Sequence, residues 1–199
     1  MDKEADILLN KVKLFVEDRL KNRLSQKMYF HNLEHTLLVV EGVQVIGGED
    51  GLSKADHLVV VLAAFLHDLG YTEKYIGHEE ASAAIAAEFL LANGFSQERT
   101  ELVSGCIMAT RFPQYPKNEL EMVICDADFY HFSLNDYQNY ADRLKAEWEE
   151  NLGLIYTDVA WDTLNLEMLR RHEYFTAYGR KTLQEKKMLN IEKLIARIG

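Results

Sequence analysis

The chain has 199 residues, 48% hydrophobic and 27% charged, with a formal net charge of −10, which suits a globular chain with a substantial core and excludes a disordered one. The excess of acid argues against extensive nucleic-acid binding, which needs clustered lysine and arginine, so a small anionic substrate would have to be held by a local metal or arginine. Two cysteines, Cys106 and Cys125, are too few for a disulfide framework and read as small buried hydrophobes in a reducing compartment.

From the N-terminus, Ile7, Leu8, Val12, Phe15, Val16 and Leu20 recur with a 3.6-residue period and predict an amphipathic helix. The charged opening, Met1 to Asp6, lacks the apolar core of a signal peptide, and the longest apolar run, 58–66, is too short to span a bilayer. A cytoplasmic protein with no membrane partner is expected. Similar stripes predict helices over 33–45 and 55–69, the second with Ser53 as N-cap and Gly70 as C-cap, which places His67 and Asp68 in its last turn. A helix over 79–93, stopped by Gly94, carries Ala81, Ala83, Ala84, Ala86 and Ala87, small side chains that allow close helix packing. Further helices are expected over 97–110, 119–129, 134–150, 157–174 and 182–198, with a loop around Pro113 and Pro116. Strand signals are nearly absent, no linker or repeat divides the chain, and the expected fold is all-α: a single-domain helical bundle over 1–199 with a metal site in a central cleft.

The metal is suggested by three signatures, His31-Asn32-x-x-His35, His67-Asp68 and Asp126-Ala127-Asp128. Imidazole and carboxylate together suit a divalent cation. His31 and His35 share a helix face if the helix begins near Asn32, although an isolated pair of this kind is more often ordinary polar surface. His67-Asp68 ends the apolar run of 59–66, and Asp126-Ala127-Asp128 follows the apolar 122–125. Ionisable groups that repeatedly interrupt apolar helices need a common partner, which a cation supplies. Of Asp126 and Asp128, one would be a ligand and the other a cap or a second acceptor.

Taken in this order, the chain resembles the HD superfamily of metal-dependent phosphohydrolases. Tyr29-Phe30-His31-Asn32-Leu33-Glu34-His35-Thr36 is similar to the family's first histidine motif, Phe65-Leu66-His67-Asp68-Leu69-Gly70-Tyr71 to its His-Asp motif, and Asp126-Ala127-Asp128 to its final aspartate motif. The 77–83 and 107–110 stretches and the Tyr174-Phe175-Thr176 region are similar to small bacterial members in a softer way. The resemblance implies an HD-type helical domain and assigns His35, His67, Asp68 and Asp128 to a divalent metal ion, Mn, Mg, Co, Fe, Ni or Zn, as one ion rather than two. It prefers Asp128 to Asp126 because the final ligand of many relatives sits in an Ala-Asp context.

The first motif is also similar to that of cyclic-nucleotide phosphodiesterases, in which the first histidine protonates the leaving oxygen. This makes His31 a candidate general acid and Asp68 a candidate for bridging ions. His78 is a further ligand candidate, on which the choice between one ion and two depends. The implied reaction is hydrolysis of a phosphate ester, of a nucleotide or related small molecule, by metal-activated water. Arg111, Arg180 and Lys181 could reach phosphate oxygens but read more naturally as solvated surface groups. His57, His131 and His172 fall outside the motifs. Two other classes stay open: a diiron oxygenase of the same superfamily, disfavoured because 80–124 holds no histidine, and a non-catalytic metal-containing binding or regulatory domain.

Overall fold

The computed structural model describes residues 3–199. Among them are nine α-helices and no strand: α1 (Lys3–Arg23), α2 (Leu33–Glu49), α3 (Lys54–Leu66), α4 (His78–Ala92), α5 (Gln97–Ala109), α6 (Glu119–Asp128), α7 (Tyr137–Leu152), α8 (Asp158–Arg171) and α9 (Gln184–Ile198). The all-α expectation holds. No helix of the described residues is long and apolar enough to cross a membrane.

Helix starts follow local chemistry. Asn32, Ser53, Ser96, Asn118 and Thr157 each accept, through a side-chain oxygen, a backbone N–H of the first turn that would otherwise have no partner. The stripe Leu8, Val12, Val16 and Leu20 faces α1 inward. Every residue of α3 from Leu58 to Leu66 is buried, because α1, α2, α4, α5 and α6 all pack around it. Replacing one of these, such as Leu62, by alanine costs about 2–5 kcal/mol in sites of this kind. Helices α2 and α6 also pack on each other, α4 on α5, and α8 on α9. Cys106 and Cys125 are free and buried, as expected of small hydrophobes.

Several boundaries differ from the periodic reading. Helix α3 stops at Leu66, with His67 as its C-cap, and the chain turns into a 3-10 turn over Leu69–Thr72. Gly70 is therefore not the cap but a point of close approach: a Cβ there would collide with the carbonyl group of His78 at the start of α4. Its N–H donates to Ser82 Oγ at 2.8 Å, which ties the His-Asp turn to α4. Gly94 does follow the end of α4 with φ +80°, a conformation glycine adopts without strain. Helix α7 begins at Tyr137 rather than 134 because a 3-10 turn occupies Tyr130–Ser133 and Leu134 is extended. Helix α8 ends at Arg171, where His172 becomes extended, and a π turn over Gly179–Leu183 leads into α9.

Candidate metal centre

Three helix ends meet at one point. Asn32 accepts from the N–H groups of Glu34 and His35, at 2.9 and 3.4 Å, and its amide donates to the Tyr29 carbonyl at 2.9 Å, so it sets the entry of the chain into α2 and the place of His35 in the first turn. His67 and Asp68 stand where α3 ends, and Asp128 is the last residue of α6. Helices α2, α3 and α6 pack on one another, so these positions converge.

His35 Nε2 lies 3.3 Å from His67 Nε2, 3.4 Å from Asp68 Oδ2 and 3.3 Å from Asp128 Oδ1. His67 Nε2 lies 3.1 Å from Asp68 Oδ2 and 3.7 Å from Asp128 Oδ1. Donors sharing one ion at about 2.0–2.2 Å stand roughly 3.3–3.6 Å apart when tetrahedrally arranged, so these spacings fit a common centre. The group His35, His67 and Asp128 is compact enough to hold a metal ion, with Asp68 at its edge.

The protonation pattern fits the same role. His67 Nδ1 donates to the Ala64 carbonyl at 2.9 Å, which leaves Nε2, the atom facing the cluster, as the lone-pair nitrogen of the neutral ring. Asp68 Oδ2 is buried, and with the His67 ring neutral it has no hydrogen-bond donor, a costly state for a carboxylate oxygen unless a cation faces it. The Nδ1 of His35 is likewise buried without a partner.

Without an ion, the cluster stores its charge in protons. Burial opposes a charge on His67, but Asp68 and Asp128 outweigh it and raise its pKa to about 9. Burial favours the neutral acid at Asp68 and Asp128, yet the facing histidines hold both carboxyls below the usual carboxylate range. Asp128 Oδ2 also accepts from Gln114 Nε2 at 3.3 Å, which fixes its orientation from the Pro113 loop.

The two aspartates of the last motif part company. Asp126 is fully buried and accepts from Phe175 N–H at 2.8 Å, Thr176 N–H at 2.9 Å and Thr176 Oγ1 at 2.7 Å. Both of its oxygens face the segment between α8 and α9, so Asp126 lies outside the cluster and anchors the C-terminal part of the fold. Burial raises its pKa to about 6 despite these donors.

His78 lies on the other side of Asp68, with its Nε2 3.6 Å from Asp68 Oδ1, its Nδ1 3.2 Å from the Tyr75 carbonyl and its ring stacked on Tyr71. His31 stays out of the cluster too. Its Nδ1 is ion-paired with Glu147 Oε1, its ring stacks on Tyr71 at 4.4 Å, and its Nε2 lies 3.4 Å from the Tyr71 hydroxyl. Burial works against its charge, but the Glu147 hydrogen bond and the charge of Asp68 raise its pKa above the ordinary 6.5. His131 is buried near the cluster with Nδ1 donating to the Asp128 carbonyl at 3.2 Å. Burial and the charge of His35 lower its pKa to about 3, so it stays neutral. Arg111 pairs with Glu80, which removes it from the cluster.

Glu147 escaped the sequence reading. It also accepts from the N–H groups of Phe30 and His31 at 2.8 and 3.0 Å and from the Tyr75 hydroxyl at 3.0 Å. One signal pointed to it: Glu147 shares a helix face with Leu144 and Trp148, an acid on an apolar stripe. Gln114 had no such signal, since it sits in an irregular loop.

A cavity of about 690 Å³ opens beside Asp68, Asp128, His31 and His78 and continues between α7 and α8. Another, of about 670 Å³, lies among the starts of α1, α3 and α5 and shares no residue with the cluster.

The HD domain family model matches residues 32–133, from the first-motif asparagine to just past Asp128 and just over half of the chain. The crystal structure of a "predicted HD superfamily hydrolase" from an uncultured Thermotogales bacterium superposes with a TM-score of 0.64 at 18% identity, covering 96% of this chain and 92% of that one, which shows a shared fold. No curated protein matches.

Proposed function

The chain belongs to the HD domain family, and from that membership we propose that it is a metal-dependent phosphohydrolase that cleaves a phosphate ester of a small molecule. The observation that carries this reading is the convergence of His35, His67, Asp68 and Asp128 beside a proton-holding histidine, His31, at the mouth of one cavity. We assign those four side chains to one divalent ion, whose bound form would act as a Lewis acid toward a phosphoryl oxygen and acidify water.

The chain's own residues supply the rest. His31 carries a proton whose loss Glu147 opposes, and it presents Nε2 toward the cavity, where it can protonate the departing oxygen of the ester. Glu147, anchored by the Phe30 and His31 N–H groups, keeps the ring in place. The Tyr71 ring packs against both imidazoles, at 4.4 Å from His31 and 3.8 Å from His78.

Protein purified without chelator and assayed for metal, followed by a screen of phosphate esters with added manganese, cobalt, magnesium or iron, tests the reading. We expect turnover that is lost on stripping and in Asp68→Ala, with one ion per chain. Turnover indifferent to metal overturns it. Oxygen-dependent turnover with iron would assign the oxygenase chemistry instead, and two ions per chain would bring in His78.

A further inference from the structure

The cavity beside the cluster is far larger than a metal and one phosphate need, and its far end has a distinct chemistry. Two apolar stripes at helical spacing face each other there, Leu144, Trp148 and Leu152 on α7 and Trp161, Leu164 and Met168 on α8. The stripes meet where Trp148 and Trp161 pack edge to face with ring centroids 5.3 Å apart, and elsewhere they line the cavity.

Several polar groups in this region are engaged within the protein. Trp161 Nε1 donates to the Ala141 carbonyl at 3.1 Å, and the Tyr137 hydroxyl donates to Asn165 Oδ1 at 2.6 Å. The Asn165 amide donates to the Trp161 carbonyl at 2.8 Å. A nucleobase edge would lose its water here and find few free partners.

Charge narrows the choice further. No lysine or arginine lines the cavity among the described residues, whereas Asp68, Glu79 and Asp128 do. Of the basic groups near the cavity, Arg111 pairs with Glu80, Arg143 with Glu34 at 2.7 Å and Lys145 with Asp158 at 2.6 Å, whereas Lys74 lies beside Gly77, which lines it. A polyphosphate would meet these acids with only the metal and the protonated His31 to offset its charge.

We infer that the substrate is a monophosphate ester of an apolar alcohol, its phosphate at the metal cluster and its hydrocarbon group in the chamber between α7 and α8. The inference rests on the phosphohydrolase reading for the reaction and on the chamber for the class of leaving group. Transfer of apolar surface out of water is the driving force, and each buried methylene tightens binding by roughly three- to fourfold.

The test uses non-hydrolysable n-alkylphosphonates, from methyl to octyl, titrated into the intact metal-loaded protein. Trp148 and Trp161 are the chain's two tryptophans and both line the chamber, so their emission reports its occupancy. The dissociation constant should fall roughly threefold per methylene, and AMP and ATP should bind more weakly than octylphosphonate. Leu164→Lys, checked for retained helicity, should flatten the series, whereas Leu164→Met should preserve it. A series flat with chain length in the parent protein, no binding at all, or tighter binding of ATP than of octylphosphonate overturns the inference. The two ideas fail separately: a steep series with no ester hydrolysed under any metal sinks the hydrolase reading alone, and hydrolysis of many esters with a flat series sinks this one alone.

Discussion

Glu147 holds His31 at two points, its Oε2 accepting the His31 backbone N–H at 3.0 Å and its Oε1 paired with the ring Nδ1. The two residues lie 116 positions apart, and the acid is completely buried. With Nδ1 engaged and the pKa raised, the ring carries its proton to higher pH than a free histidine would.

A general acid works below its pKa and fails as pH rises through it. His31→Gln should therefore lower turnover by roughly a hundred- to ten-thousandfold with metal content unchanged, and less for a substrate with a good leaving group. Glu147→Gln should move the alkaline limb of the kcat/KM profile toward lower pH, because the charge that raises the pKa of His31 is gone. An unmoved limb would show that another group donates the proton, and metal loss in His31→Gln would make that histidine a ligand.

His67→Ala and Asp68→Ala should each remove bound metal and turnover while leaving a largely helical protein, since both side chains face the cluster rather than fill the core. Metal analysis and circular dichroism read the two effects separately. Parental metal content in either variant would remove that residue from the ligand set.

The aspartate pair should split by phenotype. Asp128→Ala is expected to lose metal. Asp126→Ala should retain metal, because its oxygens face Phe175 and Thr176, and should destabilise the fold by roughly 2–4 kcal/mol, the cost of leaving buried N–H donors without an acceptor. Denaturant unfolding and metal analysis on both variants distinguish the roles, and metal loss in Asp126→Ala with unchanged stability would reverse them.

Metal affinity should depend on pH through His67. In the metal-free protein its pKa stands at about 9, so a cation must displace a proton below that pH. Apparent affinity should fall roughly tenfold per pH unit of acidification and level off above about pH 9. The raised pKa also stabilises the metal-free fold below the ordinary 6.5, and that contribution fades as pH rises through about 9. Stripping with a chelator should therefore lower Tm most at alkaline pH. Affinity that does not change between pH 6 and 8 would mean that His67 is not the proton displaced.

Much of the fold can be read along the chain because its causes are local. The period of Leu8, Val12, Val16 and Leu20, the caps at Ser53 and Asn32 and the stop near Gly94 each act within a turn or two of helix. The HD motifs are legible for a related reason: His67 with Asp68, and Asp128, follow short apolar runs at helix ends, and His35 is picked out by its place in the His31-Asn32-x-x-His35 motif. Tertiary packing decided the rest. Whether Asp126 or Asp128 faces the cluster depends on the Phe175–Thr176 segment, about fifty residues further on. Gly70, which reads as a helix stop, is required by the approach of His78. Glu147 reaches His31, and Gln114 reaches Asp128, only once α7 and the Pro113 loop are in place. The apolar stripes of α7 and α8 have the same period as core helices, and only their placement in the fold makes them line a cavity. Periodicity reports which face of a helix avoids water, whereas the partner of that face is set by contacts between distant parts of the chain.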